Sequence, residues 1–148
     1  MSDNGFRIVS LNGLLVVVFG MFAGGLPLVG VVAHDAYGQA LFHLPGDYRA
    51  WMMAHLEGLL NGILMIAIAG TTRLRPLSSS GERWLVASLL IAGWGNAVAS
   101  LLAPLLGVRG MIFDSSAGND LVAGVFTAAL IGSIVALAIA IRHLTRRT

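Results

Sequence analysis

The sequence predicts an all-α fold, a bundle of four transmembrane helices, and three observations predict it. Of its 148 residues, 57% are hydrophobic and only 11% charged, with a mean hydropathy of +0.85. A soluble domain this short has too high a surface-to-volume ratio to hide so much apolar surface, so the bilayer is its natural solvent. The apolar residues gather into stretches at about 8–33, 48–70, 83–106 and 121–141, each close to the roughly 20 residues a helix needs to cross the hydrocarbon core. The basic residues, all of them Arg, fall in the connections and at the ends. One integral membrane domain, 1–148, accounts for the chain.

The first stretch follows Arg7 and opens on a Leu/Val run. It is too long for the roughly 7–15-residue apolar region of a signal peptide and reads as a true span. The connection after it contains Pro45-Gly46, which ends an extended segment and releases the second helix at Asp47 or Tyr48. Arg73, Arg75, Pro76 and the run Ser78-Ser79-Ser80-Gly81 separate the second and third stretches. A Gly- and Ser-rich connection precedes the fourth, where Asn119 or Asp120 is placed to cap the helix.

Charge sets the expected orientation. Arg7, Arg73, Arg75, Arg83, Arg142, Arg146 and Arg147 lie on one side of the bundle, and only Arg49 and Arg109 on the other. That asymmetry places both termini and the middle connection in the cytoplasm. The sequence pI near 9.9 therefore reports topology and gives no reason to expect nucleic acid. Cysteine is absent, which excludes disulfides, iron–sulfur clusters and zinc–thiolate sites. No Gly-x-Ser-x-Gly, phosphate-binding loop or His-Glu-x-x-His motif occurs.

The informative residues are polar ones at membrane depth, each costly unless it has a partner or a task. The second helix carries His55, Glu57 and Asn61; the third carries Trp94, Asn96 and Ser100. His55 lies roughly 6 Å from the midplane at about 1.5 Å of rise per residue. Antiparallel neighbours bring His55, Asn61 and Asn96 to one level, a polar cluster centred on the histidine. Gly58 and Gly62 share a face with His55. Two readings of that face stay open: a bare floor on which a flat macrocycle such as haem lies with His55 at its iron, or a Gly-x-x-x-Gly packing seam. Ala92, Asn96 and Ser100 form one stripe, with Ala99 and Ala103 alongside, equally suited to small-residue packing. Trp94 at mid-depth suits packing better than interfacial anchoring. Glu57 points away from His55, and no Arg shares its depth. His34 and His43 are expected in an outer loop, and His143 at a helix end where its charge suits the dipole. With one intramembrane His, a haem would keep an open position at iron, which favours chemistry over electron relay.

At these residues the chain resembles the styrene oxide isomerases of bacterial styrene degradation. The likeness is carried by Phe42-His43-Leu44-Pro45-Gly46, by Ala54-His55 with Leu60-Asn61-Gly62, and by Gly93-Trp94-Gly95-Asn96. The ungapped interval from Trp94 to Arg109-Gly110 and a Gly-Asn-Asp segment opening the fourth helix add to it. It runs from Phe42 into the last helix; the first helix agrees in character. The resemblance implies a homotrimer in the inner (cytoplasmic) membrane of a bacterium, with haem b near the subunit contacts. It implies His55 as the ligand of the iron; Gly58, Gly62 and Trp94 are the residues expected beside the cofactor. Ferric iron would act as a Lewis acid on a small hydrophobic epoxide, giving a carbonyl compound without net redox change. Asn61 would help hold the bound oxygen, and Asn96 and Ser100 would line the reacting end. The family pattern has Tyr where this chain has Ser100 and Asp where it has Ala92. The pocket is thus expected to be wider, and Ser100→Tyr with Ala92→Asp to raise styrene oxide turnover. Two further readings are a haem protein of this scaffold with another task (sensing, haem handling, a different reaction) and a cofactor-free structural or transport bundle.

Overall fold

The computed structural model describes residues 1–38 and 44–145. Among the described residues there is no strand, and the chain folds into four long helices. They are α1 over Asp3–Tyr37, α2 over Tyr48–Thr72, α3 over Ser79–Leu106 and α4 over Ala117–Thr145. Each is long and apolar enough to cross a membrane, as the sequence predicts.

The helices outrun the apolar stretches, because hydropathy marks where lipid begins and capping marks where the helical hydrogen bonds end. Ser2, Asp47 and Ser78 are the N-caps of α1, α2 and α3, and their side chains accept from the amides of Gly5, Ala50 and Gly81. Gly38 and Gly107 close α1 and α3 in the left-handed conformation that glycine adopts without strain. The expected cap of α4 needs correction. The helix starts at Ala117, so Asn119 and Asp120 lie within its first turn. Their side chains tie down the preceding loop instead: Asn119 bridges the Gly110 amide and the Ile112 carbonyl, and Asp120 accepts from the Asp114 amide.

The packing order follows the chain. α1 lies on α2, α2 on α3 and α3 on α4, and α1 also reaches α3. α2 and α4 barely meet, and α1 and α4 share no contact among the described residues. Val9 and Val16 of α1, Met65 of α2, Leu85 and Leu89 of α3 and Ala136 of α4 form the common core. At the end carrying the N-terminus, the α-amino group of Met1 donates to the carbonyls of Thr72 and Arg75. Arg73 pairs with Asp3 at 2.5 Å and stacks over Phe6, and Ser2 bonds Glu82. These contacts fasten the start of α1 to the turn between α2 and α3.

Glycines bring α1 and α2 together backbone to backbone. A Cβ on Gly20 would fall 2.7 Å from the Gly58 Cα, one on Gly13 2.8 Å from the Gly62 carbonyl oxygen, and one on Gly24 2.5 Å from the His55 nitrogen. The two backbones therefore touch along roughly 16 Å of helix, from Gly13 to Gly24. Lipid offers no hydrophobic drive for helix association, so intimate van der Waals contact between small residues takes its place. Gly70, on the same helix, faces open space. Gly58→Ala is expected to destabilise the protein by about 1–3 kcal/mol through overpacking. Gly70→Ala should be neutral or stabilising by up to about 1 kcal/mol. Unfolding midpoints of the two variants in detergent micelles check this contrast; equal effects would contradict it.

Candidate functional site

His55 is held from two directions. Its backbone sits against Gly24 of α1, and its ring Nδ1 lies 3.1 Å from the Gly20 carbonyl oxygen. That carbonyl belongs to a π-helical turn, Gly20–Gly24, inside the long first helix. There the Gly25 amide reaches back five residues to the same Gly20 oxygen. A π turn widens the helix, and such turns gather at functional sites. Here it precedes Pro27, whose nitrogen has no hydrogen for the i−4 carbonyl. Local widening of this kind is a regular way for a membrane helix to absorb a proline. With a carbonyl as partner, Nδ1 is the donor, and in the neutral ring that tautomer carries its lone pair on Nε2. A ring nitrogen anchored on a backbone carbonyl is also how a metal-ligating histidine is oriented.

The face beneath His55 is a seam. Gly58 and Gly62 are buried against the backbones of Gly20 and Gly13, with no room even for a methyl group. The bare floor for a macrocycle is corrected on this point: α1 covers it, and the packing reading is the one observed. Trp94 also turns to α1. Its Nε1 donates to Asn12 Oδ1 at 3.0 Å, and its ring meets Phe19 edge-on at 5.7 Å. Within the chain it joins helices, and Asn12 is a partner that sequence reasoning missed.

Glu57, Asn61, Asn96 and Ser100 form a second group. Asn61 Nδ2 donates to the Glu57 carbonyl at 2.9 Å and to Glu57 Oε2 at 2.6 Å. Asn96 Nδ2 donates across the helix interface to Asn61 Oδ1 at 3.0 Å. Ser100, buried, donates its hydroxyl to the Asn96 carbonyl one turn below. The single cluster expected around His55 is therefore two clusters. His55 and Asn61 are about 120° apart around α2, one bonded to α1 and the other to α3. Glu57 does point away from His55, as expected, but its facing brings it to Asn61.

Ser100 also lines a cavity of about 560 Å³ at the end of the bundle away from the N-terminus. Met53, Ala103, Pro104 and Phe126 give it apolar walls, with Arg49 and Arg109 also lining it. Pro45-Gly46 closes over this region: Trp51 Nε1 donates to the Pro45 carbonyl, and Gly46 presses on Pro104 with a φ of +101°. Ala92, on the same stripe, faces a gap of only about 10 Å³ shared with Asn61 and Ser133. His34, expected in a loop, lies in the last turn of α1. His143 is in the last turn of α4, and His43 is outside the described residues. Among the described residues no three His, Cys, Asp or Glu side chains gather where they could hold a metal ion.

A four-span bundle with one oriented intramembrane histidine and an amide relay on the neighbouring face defines a membrane protein with a buried polar site. A family model described as styrene oxide isomerase matches residues 6–145, and the chain belongs to that family. The match takes in the first helix, where the Gly20 anchor of His55 resides. No curated protein matches the chain.

Proposed function

We propose that the protein is a haem b-dependent epoxide isomerase of the bacterial inner membrane, with His55 as the ligand of the iron. The observation that carries this reading is the Nδ1 bond of His55 to the Gly20 carbonyl, in a chain of the styrene oxide isomerase family. His55 fits the group, whereas Gly58, Gly62 and Trp94 are taken up by α1 within the chain. Haem iron needs only one protein ligand, and an anchored imidazole offers its Nε2. A bare metal ion would need a cage, and the described residues offer none. Ferric haem, when bound, supplies a Lewis acid for the epoxide oxygen.

The remaining work falls to the chain. An epoxide becomes a carbonyl compound when one C–O bond opens and a hydride moves to the neighbouring carbon, with no net electron change. The opening carbon becomes electron-poor, so water must be kept away. The apolar walls around Met53 and Phe126 suit that task. The amide relay of Asn61 and Asn96 is the polar element at hand to hold oxygen, and Ser100 leaves room where the family has Tyr. A cavity of about 560 Å³ reaching Ser100 favours epoxides bulkier than styrene oxide.

His55 and Asn61 face different neighbours, so one chain does not turn both toward one ligand. We read them as two halves of a site completed between copies, consistent with the homotrimer that the resemblance implies. A haem protein of this scaffold without isomerase activity is the second reading, favoured by Ser100 and Ala92 where the family has Tyr and Asp.

Purified protein supplemented with haem should show a Soret band, and His55→Ala should lose it. Persistence of the band in the variant would remove His55 as ligand. Incubation with aryl and bulkier alkyl epoxides should yield aldehydes or ketones; none from any of them, at full haem loading, would leave the second reading. The two reversions to the family residues should differ. Ser100→Tyr has cavity to fill and should raise styrene oxide turnover. Ala92→Asp places a carboxylate in a gap of about 10 Å³ and should destabilise the bundle by about 1–3 kcal/mol, read as a lowered unfolding midpoint.

A further inference from the structure

The carboxyl of Glu57 is not needed by the reading above, yet it lies at membrane depth and makes a short bond. Its partner is the side-chain amide of Asn61, 2.6 Å from Oε2. An amide nitrogen has two hydrogens. In Asn61 one goes to the Glu57 side chain and the other to the Glu57 backbone carbonyl. Asn61 therefore has no donor left. What it offers α3 is Oδ1, and Asn96 meets it with Nδ2. Asn96 then keeps one Nδ2 hydrogen with no bond to another described residue. Ser100 adds no donor, because its hydroxyl hydrogen is committed to the Asn96 carbonyl.

We propose that Glu57 is a positioning residue: through Asn61 it sets the direction of the amide relay and leaves an Asn96 N–H as the donor the site offers. Asparagine amides can turn over, exchanging donor and acceptor ends. Two acceptors on Glu57, carbonyl and carboxyl, hold Asn61 with nitrogen toward α2 and oxygen toward α3. Bonds in such a chain polarise one another in a low-dielectric surrounding, so a strong acceptor on Glu57 makes Asn61 Oδ1 a better acceptor for Asn96 and holds the chain in this direction. This moves the oxygen-holding role from Asn61 to Asn96. That the donor serves an epoxide oxygen rests on the proposed function; the direction of the relay does not.

The test is a nuclear magnetic resonance spectrum of the full chain labelled with ¹⁵N at asparagine side chains, in detergent micelles, without haem or epoxide. In the unmodified protein both Asn61 amide protons should exchange slowly with solvent, whereas one of the Asn96 pair should exchange faster than its mate. Glu57→Leu removes the carboxyl without adding a polar group. It should free one Asn61 proton to exchange and shift the Asn96 pair, which Glu57 does not touch. Glu57→Gln keeps an acceptor at the same place and should restore both signals toward those of the parent. A fast-exchanging Asn61 proton in the unmodified protein overturns the proposal without recourse to any variant. So does an Asn96 pair that stays in place when Glu57→Leu shifts Asn61. A coupled response together with no carbonyl product from any of the aryl or bulkier alkyl epoxides, at full haem loading, would retain the relay and count against the isomerase reading alone.

Discussion

The backbone contact between α1 and α2 is the constraint on which the rest depends. Gly13, Gly20 and Gly24 on one helix meet Gly62, Gly58 and His55 on the other with no side chain between them. In lipid this contact is itself a source of association, since apolar side chains gain little by leaving an equally apolar solvent. It also sets the site. Only at this separation does a carbonyl of α1 come within hydrogen-bonding distance of the His55 ring. Stability and orientation of the histidine are thus two results of one packing choice.

A second consequence follows for α2. Its polar residues at depth do not pool into one network; each is satisfied by a different neighbour. His55 bonds α1, Asn61 bonds α3, and Glu57 bonds Asn61 along its own helix. An unsatisfied polar group in hydrocarbon is expensive, and this distribution leaves none of the three without a partner. It also makes α2 two-sided, with a metal-binding type of group on one face and an amide relay on the other. The wide cavity beside Ser100 adjoins the second face.

Much of this was legible from the sequence. Four apolar stretches gave four helices because lipid demands a continuous run of apolar residues. His55, Asn61 and Asn96 were visible because polar groups stand out in such runs. The partners were not. Gly58 and Gly62 suited a packing seam or a floor for a ligand, and the structure shows the seam; nothing in their spacing said that α1 would supply its own glycines as the partner. Gly20, Gly24 and Pro27 did carry a signal, a glycine-rich stretch before a proline within a span, but the π turn it builds depends on the bond geometry of the folded helix. Glu57 was placed correctly on the face away from His55. Its match with Asn61 was four residues away on the same helix and could have been found from helical spacing alone. The start of α2 at Tyr48 and the end of α3 at Leu106 match the apolar boundaries; the other helix ends lie beyond them, where the helical hydrogen bonds continue past the apolar run.

The most direct measurement is of the His55 ring itself. Its ¹⁵N resonances in the haem-free protein, identified by their loss in a His55 variant, report which nitrogen bears the proton. The account requires the tautomer protonated at Nδ1, hydrogen-bonded to the Gly20 carbonyl, with Nε2 bare and able to take a metal. A ring protonated at Nε2 with Nδ1 bare would contradict it, for the anchor and the ligand nitrogen would then be exchanged.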